Sequence, residues 1–172
     1  PFRGEGMKVF LHLFLSDFSG MTRLVYILLL MVICCSCKEF RFEKDKERIE
    51  ALNQMQQTDI DFSNRSKEAG MKKAFLEYIQ EEGVLLRPHR MPITGASAID
   101  YLSSINDSSL ILTWAPEGGN VSRSADMGYT YGVYTLTIKD SAYKGTYVTI
   151  WQKQADGTWK FVLDTGNEGI GK

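Results

Sequence analysis

Beyond Cys37 the sequence has no cysteine, and its three cysteines, Cys34, Cys35 and Cys37, sit almost side by side. A domain C-terminal to them therefore holds neither a disulfide nor a thiol site. Such close neighbours also make poor disulfide partners with each other, because the rings they would close are too tight. Histidine is equally scarce, with only His12 and His89. That argues against a histidine-cluster metal centre, so no metal and no cofactor is expected. A Ser–His–Asp triad would have to use His89, and no nucleophile-elbow motif accompanies it. Gly118-Gly119-Asn120 lacks the Lys-Ser/Thr of a phosphate loop. Neither sign of charge dominates: 20 Lys and Arg face 21 Asp and Glu, for a net charge of -1. With its basic residues dispersed, the chain offers no stripe for nucleic acid. Nor does it contain an apolar run of the roughly 20 residues that a spanning helix requires.

What is present divides the chain in two. From Met21 it reads MTRLVYILLLMVICCSCK. A cation, Arg23, precedes an apolar run and then small residues, the three-part order of a secretory signal. The end of that run resembles a bacterial lipobox, with small Ser36 before Cys37. The resemblance implies that the thiol of Cys37 carries diacylglycerol; Cys35, preceded by Cys34, is the alternative. Residues 21–37 are thus expected to form a lipoprotein signal peptide. Residues 1–20 would be an upstream extension outside the translated protein, or a start at Met7 would give a longer signal. Lys38 after the cysteine favours the outer membrane of a bacterial cell envelope.

Residues 38–50 are charged and read as a tether running into a first helix. Ile49, Leu52, Met55, Ile60 and Phe62 keep approximate helical spacing as far as Gly70. A second helix follows, with Phe75, Leu76 and Ile79 on one face and Gly83 as its stop. Pro88 and Pro92 force extended backbone between Val84 and Gly95. A short helix over ASAIDYLSSI comes next, with Ile99 and Leu102 inward. From Ser108 the pattern becomes β, with strands at SLILTWAPEG, closed by Pro116 and Gly118-Gly119, then at MGYTYGVYTLTIKD, GTYVTIWQKQ and TWKFVLDTG. Helices first and a meander afterwards predict an α+β domain over 51–172, with helices packed on one face of an antiparallel sheet.

Three segments, GVLLRPHRMPITGASAIDYL, LTWAPEGGNVSRSADMGYTYGVY and GTYVTIWQKQADGTWKFVLDTGN, carry a family resemblance. Together they resemble the SnoaL-like, ketosteroid-isomerase-like branch of the nuclear transport factor 2-like superfamily, over about Asp59 to Asn167. The resemblance implies a cystatin-like cone: a curved antiparallel sheet of about four to six strands wrapped over helices around an internal pocket. Gly128 and Gly132, four apart, share a strand face where missing side chains let the sheet bend or a neighbour approach. Tyr147, Thr149 and Trp151 share another face. A two-residue Asp156-Gly157 turn would set Asp164 beside them, whereas a three-residue turn would set Phe161 and Leu163 there instead.

Enzymes of this superfamily place a carboxylate or histidine and tyrosine donors inside the cone. The candidates are Asp59, Asp61, His89, Tyr78, Tyr129, Tyr131 and Asp164, with Asp61, Asp164 and Tyr129 as the catalytic set. An aromatic pocket for a small apolar or amphipathic ligand would use Phe62, Phe75, Tyr78, Trp114, Tyr131, Tyr147 and Trp151. Two functions follow. A lipid-anchored, non-catalytic binding domain is favoured, since no candidate base comes with a recognisable partner. An isomerase- or cyclase-like enzyme is the alternative. The expected partners are the membrane, through Cys37, a hydrophobic ligand, and a second copy docked through Val148, Ile150 and Leu136 on the outer sheet face.

Overall fold

The computed structural model describes residues 20–170. They divide into two units, the first ending at Asp45 and the second beginning at Lys46. In the first, the described backbone is helical from Gly20 onward and belongs to α1, Gly20–Ala69, which continues into the second. The lipobox-like run lies in this helix, and the tether expected at 38–50 is helical too. No helix among the described residues is long and apolar enough to cross a membrane.

In the second unit the elements after α1 are α2 (Met71–Tyr78), β1 (Ile79–Leu86), β2 (Ile93–Thr94), α3 (Ala96–Ser104), β3 (Leu110–Val121), β4 (Met127–Ile138), β5 (Ser141–Lys153) and β6 (Trp159–Glu168). The strands form one sheet in the order β2-β1-β6-β5-β4-β3. The meander β3 to β6 is antiparallel, as the sequence suggests, and β1 adds parallel to β6.

The inward stripe of α1 corrects the sequence reading. Ile49 and Ile60 face out, while Ala51, Met55, Asp59, Phe62, Ser63 and Ser66 are buried. The stripe is half polar, which is why its hydrophobic spacing looked irregular. Its serines have a backbone task. Ser63 Oγ donates to Trp114 O at 2.7 Å and accepts from Trp114 N at 2.8 Å, and Ser66 Oγ donates to Leu112 O at 2.8 Å. These main-chain groups belong to β3, the outermost strand on its side of the sheet. The helix side chains satisfy what would otherwise be an open edge.

Two glycine and proline assignments also change. The second helix ends at Tyr78, not Gly83, because Ile79 already pairs with Phe161 in the sheet. Gly83 lies in an irregularity of β1 between Ile79 and Val84. Pro116 and Gly118 do not close β3; they form a bulge inside it, after which the strand resumes to Val121. Proline is tolerated there because β3 is an edge strand.

The hairpin β5–β6 resolves the two alternatives by combining them. Gln154 N bonds Thr158 O, Gly157 N bonds Gln154 O, and Gly157 has φ +87°, so the turn is the three-residue form. It pairs Trp151 with Phe161, and both are buried. The register then slips by one residue, because Ile150 pairs with Leu163 and leaves Val162 over. After this bulge Thr149 faces Asp164. Both Phe161 and Asp164 thus end on the inner face, below and above the slip.

Candidate functional site

Phe62 is the hub of the core. Its ring lies 4.8 Å from that of Phe75, 4.7 Å from Tyr78, 4.6 Å from Trp114 and 5.6 Å from Phe161. Phe62 and Trp151 are fully enclosed, and Trp151 Nε1 donates to Thr130 Oγ1 at 2.8 Å. They form a closed aromatic floor and are not among the residues that line the cavity. Gly128 and Gly132 make this floor possible. A Cβ on Gly128 would stand 2.6 Å from Met55 Sδ of α1, and one on Gly132 would collide with Ala115 O.

Above the floor lies a cavity of about 260 Å³. Phe75 of α2, Trp114 of β3, Tyr134 and Leu136 of β4, Tyr147 of β5 and Asp164 of β6 contribute its walls. Tyr101 and Leu102 of α3 close another side, with Arg87 beyond the end of β1. The lining is largely apolar and aromatic, with few polar groups, the usual make-up of a small-molecule site.

Two carboxylates organise the polar part. Asp164 Oδ1 accepts from Arg87 Nη2 at 2.6 Å, and its Oδ2 accepts from Thr149 Oγ1 at 3.0 Å. Arg87 Nη1 also donates to Leu86 O and Asp164 O, which fixes the guanidinium at the wall. Asp59, from α1, is completely buried behind the lining. Its Oδ1 accepts from Trp114 Nε1 and its Oδ2 from Tyr147 Oη, both at 2.7 Å. Burial pushes the Asp59 carboxyl upward, against the opposing pull of hydrogen bonds from Tyr147, Trp114 and Thr130. Burial, reinforced by the charge of Asp59, drives the Tyr147 phenol far above its usual range. Burial also raises Tyr134.

Of the residues expected at the site, Phe75, Trp114, Tyr147 and Asp164 are brought together around this cavity. The others are not. Asp61 is exposed on α1, accepts from Gln57 Nε2 at 2.9 Å, and borders an open polar groove together with Tyr78. It follows Asp59 by two positions, and two positions turn a helix to its far side. Tyr129 and Tyr131 are 44% and 45% exposed, because they alternate with the inward Gly128, Thr130 and Gly132. Leu136 belongs to that inward set and lines the cavity, so it is not on the outer face with Val148. His89 is exposed in a turn.

The reading of lining residues missed Arg87, Tyr101 and Tyr134. Parity with Leu85 could have found Arg87, and parity with Gly128 and Gly132 could have found Tyr134. Asp59 was among the candidates but not chosen. Its signal was the run 51, 55, 59, 62, 66 on one helical face.

A curved open sheet with an N-terminal helix packed on it, and an aromatic-lined cavity walled by the sheet and the shorter helices α2 and α3, defines the cystatin-like fold class. The solved structures it resembles agree. A ketosteroid isomerase-like protein from Erwinia carotovora atroseptica matches with TM-score 0.58 and 18% identity, over 71% of this chain and 98% of that one. A nuclear transport factor 2-like protein of unknown function from Pseudomonas putida matches with TM-score 0.59 and 8% identity, over 72% and 89%. A nuclear transport factor 2-like protein with a cystatin-like fold from Novosphingobium aromaticivorans matches with TM-score 0.55 and 11% identity, over 79% and 89%. No family model and no curated protein matches the sequence. The chain has the nuclear transport factor 2-like superfamily fold.

Proposed function

We propose that the chain is a lipid-anchored domain of the bacterial cell envelope that binds a small apolar or amphipathic ligand, without catalysis, in the cavity between its sheet and helices. The observation that carries the binding reading is the cavity itself, about 260 Å³ with Phe75, Trp114, Tyr134 and Tyr147 in its walls. The anchor reading rests on the resemblance of the segment ending at Cys37 to a lipobox. A single acyl chain holds a protein to a membrane only marginally, so firm anchoring calls for a multiply acylated Cys37.

The binding reading is tested by thermal shift of the full chain across a metabolite library, run beside Leu136→Trp, which fills the cavity. Ligands raise the melting temperature of the parent and leave the filled variant unmoved. The reading fails if no compound shifts the parent, or if the filled variant responds equally.

An isomerase- or cyclase-like reading is supported by one observation, the presence of Asp164 in the cavity wall. Against it, both carboxylate oxygens of Asp164 already accept hydrogen bonds, one of them from Arg87. Asp164→Asn would abolish turnover if this residue were the base; turnover retained in that variant would exclude it.

A further inference from the structure

The inner face of the sheet is a ladder of rungs, because residues paired directly across strands share a face. At the floor, Gly128 pairs with Trp151 and Trp151 with Phe161. The next rung is polar: Thr130, Thr149 and Asp164 follow one another across β4, β5 and β6, at 0%, 1% and 7% exposure. Arg87 joins this level through its bond to Asp164. The rung of Gly132, Tyr147 and Gly166 comes next, then that of Trp114, Tyr134 and Gly145. Above them the rungs turn apolar. Leu112 pairs with Leu136 and Leu136 with Tyr143, and Leu110 pairs with Ile138. Thr149, Tyr134 and Leu136 line one and the same cavity, so it runs from the polar rung to the apolar ones. Beyond its walls Ile138 and Tyr143, 38% and 57% exposed, carry the apolar face out to the end of the β4–β5 hairpin. Glu168 stands at the edge of the Tyr134 rung and is exposed, so water can serve it. Two glycines keep the way between the ends open. A Cβ on Gly145 would stand 2.5 Å from the Tyr134 phenol, and one on Gly166 3.4 Å from its ring. The ring therefore lies against bare backbone of β5 and β6 in place of standing across the cavity.

We propose that the cavity takes a single-chain amphiphile head first, with its polar group at Thr149, Asp164 and Arg87 and its chain running past Tyr134 to a lip formed by Leu136, Ile138 and Tyr143. This deepens the ligand-binding reading and rests on it. The deep rung holds lone pairs on Thr149 and Asp164 and remaining N–H groups on Arg87, so it serves a head that both donates and accepts, such as a hydroxyl. A chain entering first would set methylenes against that rung and leave the head among leucines, losing its hydrogen bonds. Length fits as well. From Thr149 to Tyr143 the strand rises roughly 20 Å, at about 3.4 Å per residue. A hexyl chain ends inside the cavity, whereas a dodecyl chain comes up to the lip.

The test is equilibrium dialysis of labelled 1-hexanol and 1-dodecanol against the full chain and three variants. Each buried methylene tightens binding about threefold, so 1-dodecanol should bind the parent about a hundredfold or more tighter than 1-hexanol. The lip variant, Ile138→Ser with Tyr143→Ser, should weaken 1-dodecanol about tenfold. It should leave 1-hexanol unchanged, which also reports an intact cavity. At the deep rung, Thr149→Val keeps the shape and removes the hydroxyl. It should weaken both alcohols alike, by about fivefold. The filled variant Leu136→Trp should bind neither.

Chain-first binding reverses the signs: Thr149→Val would then tighten both alcohols, and that result overturns the proposal. An unchanged affinity of the lip variant for 1-dodecanol overturns it too. If that same variant splits a dimer in sedimentation, the lip belongs to a second copy of the chain. Binding of 1-dodecanol that persists in Leu136→Trp lies outside the cavity and equally removes the proposal. If 1-hexanol binds and 1-dodecanol is no tighter, the head-first amphiphile is excluded while the ligand-binding reading stands. If neither alcohol binds, the proposal falls, and the metabolite library alone decides the ligand-binding reading.

Discussion

At the scale of the residue, the buried carboxylates are the groups with most at stake. Asp59→Ala strands two buried donors, Trp114 Nε1 and Tyr147 Oη. An unsatisfied buried polar group costs about 1–3 kcal/mol, so urea unfolding should show a loss of about 2–4 kcal/mol after cavity relaxation. The pH dependence has a definite sign. Burial holds the Asp59 pKa in the folded chain above that of a solvated aspartate, about 3.9. Its contribution to stability is therefore fully present below that pH and is lost as pH rises through the folded value. Measured against Asp59→Asn, the parent should gain relative stability on acidification from neutral pH towards 3.5. Relative stability that falls on acidification would contradict the placement. Asp164→Ala acts differently, since it leaves Arg87 half-enclosed at the wall with no carboxylate. A loss of about 2–3 kcal/mol is expected, at the low end for a broken buried pair because the side chains keep 20% and 10% of their exposure.

At the scale of the element, glycines and bulges decide which faces meet. Two glycines with unlike roles make a paired test. Gly157 has a left-handed backbone and open space around it, so alanine there should cost only about 1 kcal/mol, from strain alone. At Gly132 a Cβ would press on the main-chain oxygen of Ala115, which cannot swing away, and on Tyr147 at 3.0 Å. Gly132→Ala should cost about 2 kcal/mol or more and also weaken ligand binding, because Tyr147 is a wall of the cavity. Equal losses at both sites, read by thermal melts, would remove this distinction. This is also where the sequence was most and least legible. The short helix at 96–104 and the strands β4 to β6 follow directly from periodicity, because each exposes one face and buries the other. Gly83 and Pro116 were read as terminators because terminator and bulge use the same residue types. Only the pairing partner, Phe161 for Ile79 and Gly132 for Pro116, tells them apart. Half of the site was legible for the same reason. Strand parity placed Tyr147 with Thr149 and Trp151, but α1 hid Asp59 because its buried face carries polar residues in place of apolar ones.

At the scale of the whole molecule, the proposed anchor and the cavity make separable demands. Cys37→Ser should move the chain from the membrane fraction to the soluble fraction and abolish incorporation of labelled fatty acid. It should leave the melting temperature and ligand titrations of the second unit unchanged. Labelling that persists in the serine variant would move the modification elsewhere, with Cys35 as the alternative. The slip at Val162 has a consequence for how this chain can change by insertion and deletion. Losing one residue from a strand in the middle of a sheet ordinarily exchanges its two faces and is ruinous. Val162 is the one surplus residue against β5, so its removal would restore unbroken alternation and still leave Phe161 and Asp164 on the same side. Loss of its codon is thus a deletion in the heart of the sheet that spares the acid of the cavity, and the fold could shed the kink without rewriting the site.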